Sequence, residues 1–252
     1  MAPHDGLALA VAPDLGAGMD AEVAALNDRH AGLDAQGAIA LAVDDLFPER
    51  VALVSSFGAE SAVLLHLLAE VDRSVPVIFL DTGRLFPETL EYRSRLADRL
   101  GLSDVRTVSP EPERLAAKDP HRALWMTNAD LCCHIRKTEP LARALAGFDA
   151  WFTGRKRFQN AMRAELRLFE ADGTRIKINP LANWSAADLQ AYQVRHALPE
   201  HPLVAKGYPS IGCVPCTSRV LPGEDARAGR WRGLDKIECG IHTELEIDGS
   251  GI

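Results

Sequence analysis

The chain has 252 residues, enough to bury one sizeable core, and its 47% hydrophobic and 25% charged residues are ordinary for a soluble globule. A formal net charge of −7 argues against non-specific nucleic-acid binding, so an anionic ligand would need a local basic cluster. No apolar run approaches the ~20 residues of a membrane span, the first residues lack a secretory pattern, and five cysteines, an odd number, point to a reducing cytoplasm rather than a disulfide framework.

In chain order, residues 1–18, rich in Ala, Gly and Pro, read as a loose tail. Helical spacing of Ala, Val, Leu and Ile predicts a helix over 20–46, with Asp20 as N-cap. Residues 51–54 form a short apolar strand. The turn Ser55-Ser-Phe-Gly-Ala-Glu-Ser61 follows, then an amphipathic helix to Val71. Strand, Gly turn and helix aim backbone N–H groups at an anion, with Ser56 and Gly58 in the turn. A plain β–α turn accounts for the same pattern, and no Walker A lysine is present.

Residues 75–80 form a second strand ending in Asp81-Thr-Gly83. Ligands of open α/β sheets bind beyond such carboxyl ends. Asp81 there is either a ribose acceptor or the cap of the next helix, expected over 87–100. A third strand is expected at 104–108, then a loop punctuated by Pro110 and Pro112. Residues 121–146 read as mostly helical, with Pro140 kinking the segment or starting a new helix. Residues 150–153 form a fourth strand with Gly154 at its end, and 175–178 a fifth. Residues 161–170 show no clear period. Ser185 caps a helix running to about residue 197. Beyond Pro199 the chain is loop-like. The alternation predicts an α/β, doubly wound, mainly parallel sheet. The expected organisation is a single domain over 19–243, with a nucleotide-binding core at about 50–180 and a loop-rich segment at about 199–243. A mobile tail over 244–252 completes it.

The cysteines fall into a doublet, Cys132 and Cys133, a Cys-Val-Pro-Cys turn, Cys213 and Cys216, and a lone Cys239. Three readings compete for the pairs: buried packing, a four-thiolate zinc site, and a [4Fe–4S] cluster. Neighbouring side chains on a helix diverge by about 100°, which is awkward on one small ion. A cubane spreads its iron corners, and geometry favours it.

Basic residues concentrate in Gly154-Arg-Lys-Arg157 with Arg163 and Arg167, and in Arg219, Arg227, Arg230, Arg232 and Lys236. A solvated surface explains most of them singly. Two clusters flanking the cysteines point to an oxyanion site, because guanidinium forks match phosphate and sulfate. Lys137, four residues after Cys133, is placed to stand between an anionic cluster and an anionic substrate. Cys239 is the candidate nucleophile; Lys236 and His242, three residues to either side, could bias it toward the thiolate. An inert cysteine in a C-terminal tail is the plainer reading.

Taken together, the Ser55–Ser61 turn, Leu80-Asp-Thr-Gly-Arg-Leu-Phe-Pro-Glu-Thr89, Cys132-Cys-His-Ile-Arg-Lys137, Cys213-Val-Pro-Cys216, Arg227-Ala-Gly-Arg230 and Glu238-Cys-Gly-Ile-His242 resemble the assimilatory adenylyl-sulfate (APS) reductases, over roughly residues 40–243. The resemblance implies an adenine-nucleotide α-hydrolase-like fold. It implies APS as substrate, thioredoxin or glutaredoxin as reductant, and sulfite and AMP as products. It implies one [4Fe–4S] cluster per chain on Cys132, Cys133, Cys213 and Cys216, and catalysis by Cys239 through an S-sulfonate. Lys137, Arg163, Arg227, Arg230 and His242 match the family's anion-binding side chains, and Ser56, Gly58, Asp81 and Gly154 lie on segments lining its nucleotide pocket. Rival readings are a reductase of 3′-phosphoadenylyl sulfate (PAPS) or of both nucleotides, a sulfur-transferring tRNA-modifying enzyme, and a non-catalytic zinc-bound nucleotide module. No nucleic acid or membrane partner is expected. A homo-oligomer is compatible with the sequence, though nothing in it argues for one.

Overall fold

The computed structural model describes residues 15–234 and 236–242. The strands are β1 (Val51–Val54), β2 (Val77–Leu80), β3 (Val105–Val108), β4 (Ala150–Phe152), β5 (Phe169–Asp172) and β6 (Arg175–Ile178). They form one sheet in the order β3-β2-β1-β4-β6-β5, parallel except for the antiparallel edge pair β5–β6. The period-2 alternation of each short strand feeds both faces. Val51, Leu53, Val77, Phe79, Ala150 and Phe152 point into the larger core. That core is covered by α1 (Leu15–Arg29), α2 (Ala35–Ala40), α3 (Ser61–Val71), α4 (Pro87–Leu100) and α9 (Ala186–Arg195). Ala52, Ile78 and Trp151 point the other way, onto Leu141 and Leu145, with Ile241 of the C-terminal segment packed beside them. Among the described residues no helix is long and apolar enough to cross a membrane.

Helix α4 shows why these residues form these elements. Pro87 opens it, where a missing N–H costs nothing. Thr89, Tyr92, Leu96 and Leu100 give the buried stripe, and Gly101 closes it at φ 67°, a left-handed conformation that suits glycine.

Several expectations are corrected. The helix expected over 20–46 is two. Asp34 accepts from the Gly37 N–H at 2.7 Å and starts α2, so the chain turns at residues 30–34; residues 41–46 continue α2 as a wider π-type turn. Helix α1 begins at Leu15, inside the expected tail, and Asp20 lies within it rather than capping it. The rest of that tail, residues 1–14, and the C-terminal tail over 244–252 lie outside the described residues. Pro112 opens α5 (Pro112–Lys118) where a loop was expected. Strand β5 is an addition to the expected five, and the two-residue turn Gly173-Thr174, with Gly173 at φ 62°, is the hairpin signal before β6. The helical stretch carrying the doublet comprises α6 (Leu124–Thr127), α7 (Ala129–Cys133), a π-type turn at His134–Thr138 and α8 (Glu139–Ala144), with Pro140 in the first turn of α8.

Candidate active site

The chain leaves β1 toward β2 on one side, and β4 lies on the other, so the strand order reverses between β1 and β4. A crevice beyond the carboxyl ends of strands at such a point is where doubly wound sheets bind ligands. A cleft of about 260 Å³ lies here, lined by Ser56, Gly58 and Gly154 from the β1 and β4 loops. Phe57 holds the first loop in a left-handed conformation (φ 47°), fixed by the Ser55 hydroxyl accepting from its N–H at 3.1 Å. Asp81 does not line the cleft. Its carboxylate accepts from the Gly83 N–H at 2.9 Å and closes its own turn rather than capping α4; Thr82 lines the cleft instead.

The cleft also gathers Lys137, Arg163, Arg227, Arg230, Cys239 and His242. Most cations at or near it are already paired. Arg155 is bonded to Glu170, Lys156 to Glu60, and Arg163 to Glu238 at 2.6 Å. Arg157, by contrast, is exposed and turned to the Leu166 carbonyl at 2.7 Å. Lys137 and Arg230 have no carboxylate partner among the described residues. Arg230 lies 4.4 Å from the centroid of the Trp231 ring and donates to the Ile211 carbonyl at 3.3 Å. It fits only because residue 212 is glycine: a Cβ there would stand 2.7 Å from the guanidinium carbon.

A second, smaller pocket is lined by Cys132, Cys133, Cys213 and Cys216 together with Arg84, Arg136, Lys137 and Arg230. Helix α7 supplies the doublet. The Cys213–Cys216 turn is tied to the β2–α4 loop by the Val214 N–H on the Arg84 carbonyl at 2.8 Å. The Trp231 N–H bonds the Cys216 carbonyl at 3.0 Å, and the Thr82 hydroxyl lies 3.3 Å from the Cys213 sulfur. Asp119, buried, accepts from Arg136 at 2.7 Å and steadies Arg84 at 3.5 Å. Burial pushes the Cys132 and Cys216 thiols up. Among the described residues no three His, Cys, Asp or Glu side chains stand close enough to hold a single metal ion.

Cys239 sits where the two pockets meet. The Lys137 Nζ is 3.6 Å from its sulfur. A hydrogen bond with Cys133, then Lys137, the Ile241 N–H and Arg230 hold the Cys239 thiol well below its ordinary value against the opposing effect of burial. Burial likewise opposes the charge on Lys137, yet Cys239, Cys213 and Cys133 raise its pKa. The π-type turn after the doublet is what aims Lys137 into both pockets.

Two expectations about the flanks are corrected. Lys236 is bonded to Asp130, its side chain 6% exposed, so its charge is committed elsewhere. His242 stacks on Trp151, centroids 6.0 Å apart. Burial, then Arg155, Arg163, Lys177 and Lys137, push its pKa well down, so it stands in the cleft as a neutral imidazole.

Sequence reasoning missed Glu238, Trp231, Gly212, Arg84 and Arg136. Glu238, Arg84 and Arg136 had a signal, their places inside the quoted motifs; Trp231 and Gly212 emerge only from tertiary contacts.

A family model described as a phosphoadenosine phosphosulfate reductase domain matches residues 50–219. The chain is 56% identical to the adenosine 5′-phosphosulfate reductase of Chelativorans sp. (strain BNC1), covering 89% of this chain and 93% of that protein. It is 54% identical to the adenosine 5′-phosphosulfate reductase of Mesorhizobium japonicum, covering 91% of each. The crystal structure of the PAPS reductase of Candida auris in a phosphate complex superposes with a TM-score of 0.68 at 29% identity, covering 84% of this chain and 99% of that one.

Proposed function

Because the chain belongs to the phosphoadenosine phosphosulfate reductase family, oxidoreductases acting on sulfur, we propose that it reduces APS to sulfite and AMP, with thioredoxin or glutaredoxin as reductant, in cytoplasmic sulfate assimilation toward cysteine. The observation that carries this reading is the Cys239 sulfur, held beside Lys137 at 3.6 Å, in the cleft that opens on the Gly58 and Gly154 loops.

In the proposed reaction the Cys239 thiolate attacks the sulfate sulfur. The bond from that sulfur to the phosphate oxygen breaks, and its electron pair leaves on AMP. Cys239 then carries an S-sulfonate. A reductant thiolate attacks the Cys239 sulfur and expels sulfite with the sulfur–sulfur bonding pair. The reductant's second thiol displaces Cys239, so the dithiol ends as a disulfide and sulfite has gained two electrons. Lys137 and Arg230 offset the charge that builds on the transferred group, and the neighbouring cations receive the departing phosphate. Ser56, Gly58 and Gly154 leave room for the nucleoside. His242, neutral, presents a buried Nδ1 that has no partner among the described residues.

Cys132, Cys133, Cys213 and Cys216 would hold the [4Fe–4S] cluster. The residues fit it: four thiols are spread around one pocket that Arg84, Arg136, Lys137 and Arg230 also line, and among the described residues the buried Nε atoms of Arg84 and Arg136 lack a partner that anionic sulfur would supply. When bound, the cluster supplies a fixed anionic centre that ties the doublet to the Cys213–Cys216 turn. The likeness to the Candida auris PAPS reductase favours a second reading, in which PAPS is also accepted.

The test is sulfite and AMP release from APS with thioredoxin, alongside iron and acid-labile sulfide counts on anaerobically purified protein. Cys239→Ser should release no sulfite while binding AMP and iron as the parent does; turnover in that variant overturns the mechanism. About four irons per chain are expected, and stoichiometric zinc instead retires the cluster.

A further inference from the structure

Arg163 and Arg227 resemble substrate-anion ligands, yet an anion of the chain's own already stands on them. The Glu238 Oε2 accepts from the Arg163 Nε at 2.7 Å and from its terminal nitrogen at 2.6 Å. Asn160 Nδ2 adds a contact at 3.2 Å, while the Asn160 side-chain oxygen accepts from the Arg163 N–H at 3.1 Å. The other oxygen, Oε1, lies 3.8 Å from Arg227 and accepts from the backbone N–H of Cys239 at 2.9 Å. The side chain is only 7% exposed and lines the cleft. Burial opposes its ionisation, but Arg163, the Cys239 N–H, Arg227 and Asn160 keep its pKa below the usual carboxylate value.

A carboxylate that bridges two guanidiniums and the amide of the next residue does two things at once. It ties the nucleophile's backbone to the wall of the cleft. It also fills donor positions that a phosphate or sulfate oxygen would take. Resting on the proposed function, we infer that Glu238 is a positioning residue that clamps Cys239 inside the cleft through Arg163, and that it competes with the substrate's anionic groups for Arg163 and Arg227. Binding of an oxyanion then loosens the clamp, and an empty cleft restores it. The two events are linked reciprocally: whatever an anion does to the clamp, loss of the clamp does to the anion's affinity. The clamp also gives Cys239 two settings, one held against the cleft wall and one released toward a protein reductant, without any change in the sheet beneath.

The test uses the full-length protein and Glu238→Gln, which keeps the size and an acceptor for the Cys239 N–H but loses the charge. Iodoacetamide labelling of Cys239 is followed by mass spectrometry of its peptide, with and without inorganic phosphate. In the parent, phosphate should accelerate labelling. In Glu238→Gln, labelling should be about fivefold or more faster without phosphate, and phosphate should change it less than about twofold. AMP, measured by calorimetry, should bind the variant about three- to tenfold tighter, and both KM and kcat for APS should fall. Weaker AMP binding, the outcome of a merely structural role, overturns the inference. So does labelling of Glu238→Gln at the parent rate, or phosphate that leaves parental labelling unchanged or slows it. A parent that releases no sulfite from APS would refute the proposed reaction, but the labelling comparison would stand, so the two failures are separable.

Discussion

Replacing Lys137 by methionine keeps the stem of the side chain and removes its charge. The ammonium lies 3.6 Å from the Cys239 sulfur. At an effective dielectric of about 20, a unit pair at that distance interacts by about 4.6 kcal/mol. Only the part that grows between ground and transition state appears in the rate, and single donors to developing charge contribute roughly 3–4 kcal/mol, or about 10²–10³ in rate. Lys137→Met should therefore slow formation of the Cys239 S-sulfonate by about that factor under single-turnover conditions, read by rapid quench and intact-mass spectrometry. Iron content should stay within experimental error of the parent, because Lys137 is not among the four cysteines assigned to the cluster. A rate within about threefold of the parent would refute the argument that Lys137 and Arg230 are the cations left free to face the reacting group.

Gly212→Ala should push Arg230 off its position over Trp231, since the new Cβ would stand 2.7 Å from the guanidinium carbon. Single-turnover formation of the Cys239 S-sulfonate from APS should slow by about tenfold or more, with a thermal midpoint little changed; an unaltered rate removes Arg230 from the transferred group. Stability should also depend on acid pH through His201. Its Nδ1 accepts from the Leu203 N–H at 3.2 Å, its Nε2 faces the Thr89 hydroxyl at 3.0 Å, and burial pushes its pKa down to about 4. The unfolded chain takes up this proton near pH 6.5 and the folded chain does not, so this contribution is complete above that pH. It is lost as pH falls toward about 4, on the order of 1 kcal/mol per pH unit. Urea midpoints at pH 7.5 and 5.5 should converge in His201→Gln relative to the parent, and parallel slopes would exclude the histidine.

Much of the strand pattern was legible because β1, β2 and β4 are short, buried apolar runs between punctuating residues. Val51–Val54 falls where the sequence puts it for that reason, and Pro87–Leu100 because an opening proline and a closing glycine bound its apolar stripe. Elements whose identity depends on a competing local bond were harder. Asp34 breaks a continuous helical pattern by capping Gly37, and β5 is an edge strand held by one hairpin. At the site, the motifs name Cys239, Lys137 and the arginines. They do not say which charges remain available, since pairing is a property of three-dimensional neighbours.

Residue type and local order by themselves determined the strand–helix alternation, the two cysteine pairs, the lone thiol and the basic segments around them. Tertiary structure decided how those segments share charge. Asp130, 106 positions before Lys236, takes up that lysine and leaves Lys137 to face the thiol. Glu238 closes on Arg163 across 75 positions. Asp81 turns back to its own loop, so the cleft is lined by Thr82 instead. Hydrophobic periodicity is written in neighbouring residues and survives in one dimension. Coulomb pairing acts through space at a few ångströms, and only the folded chain sets those distances.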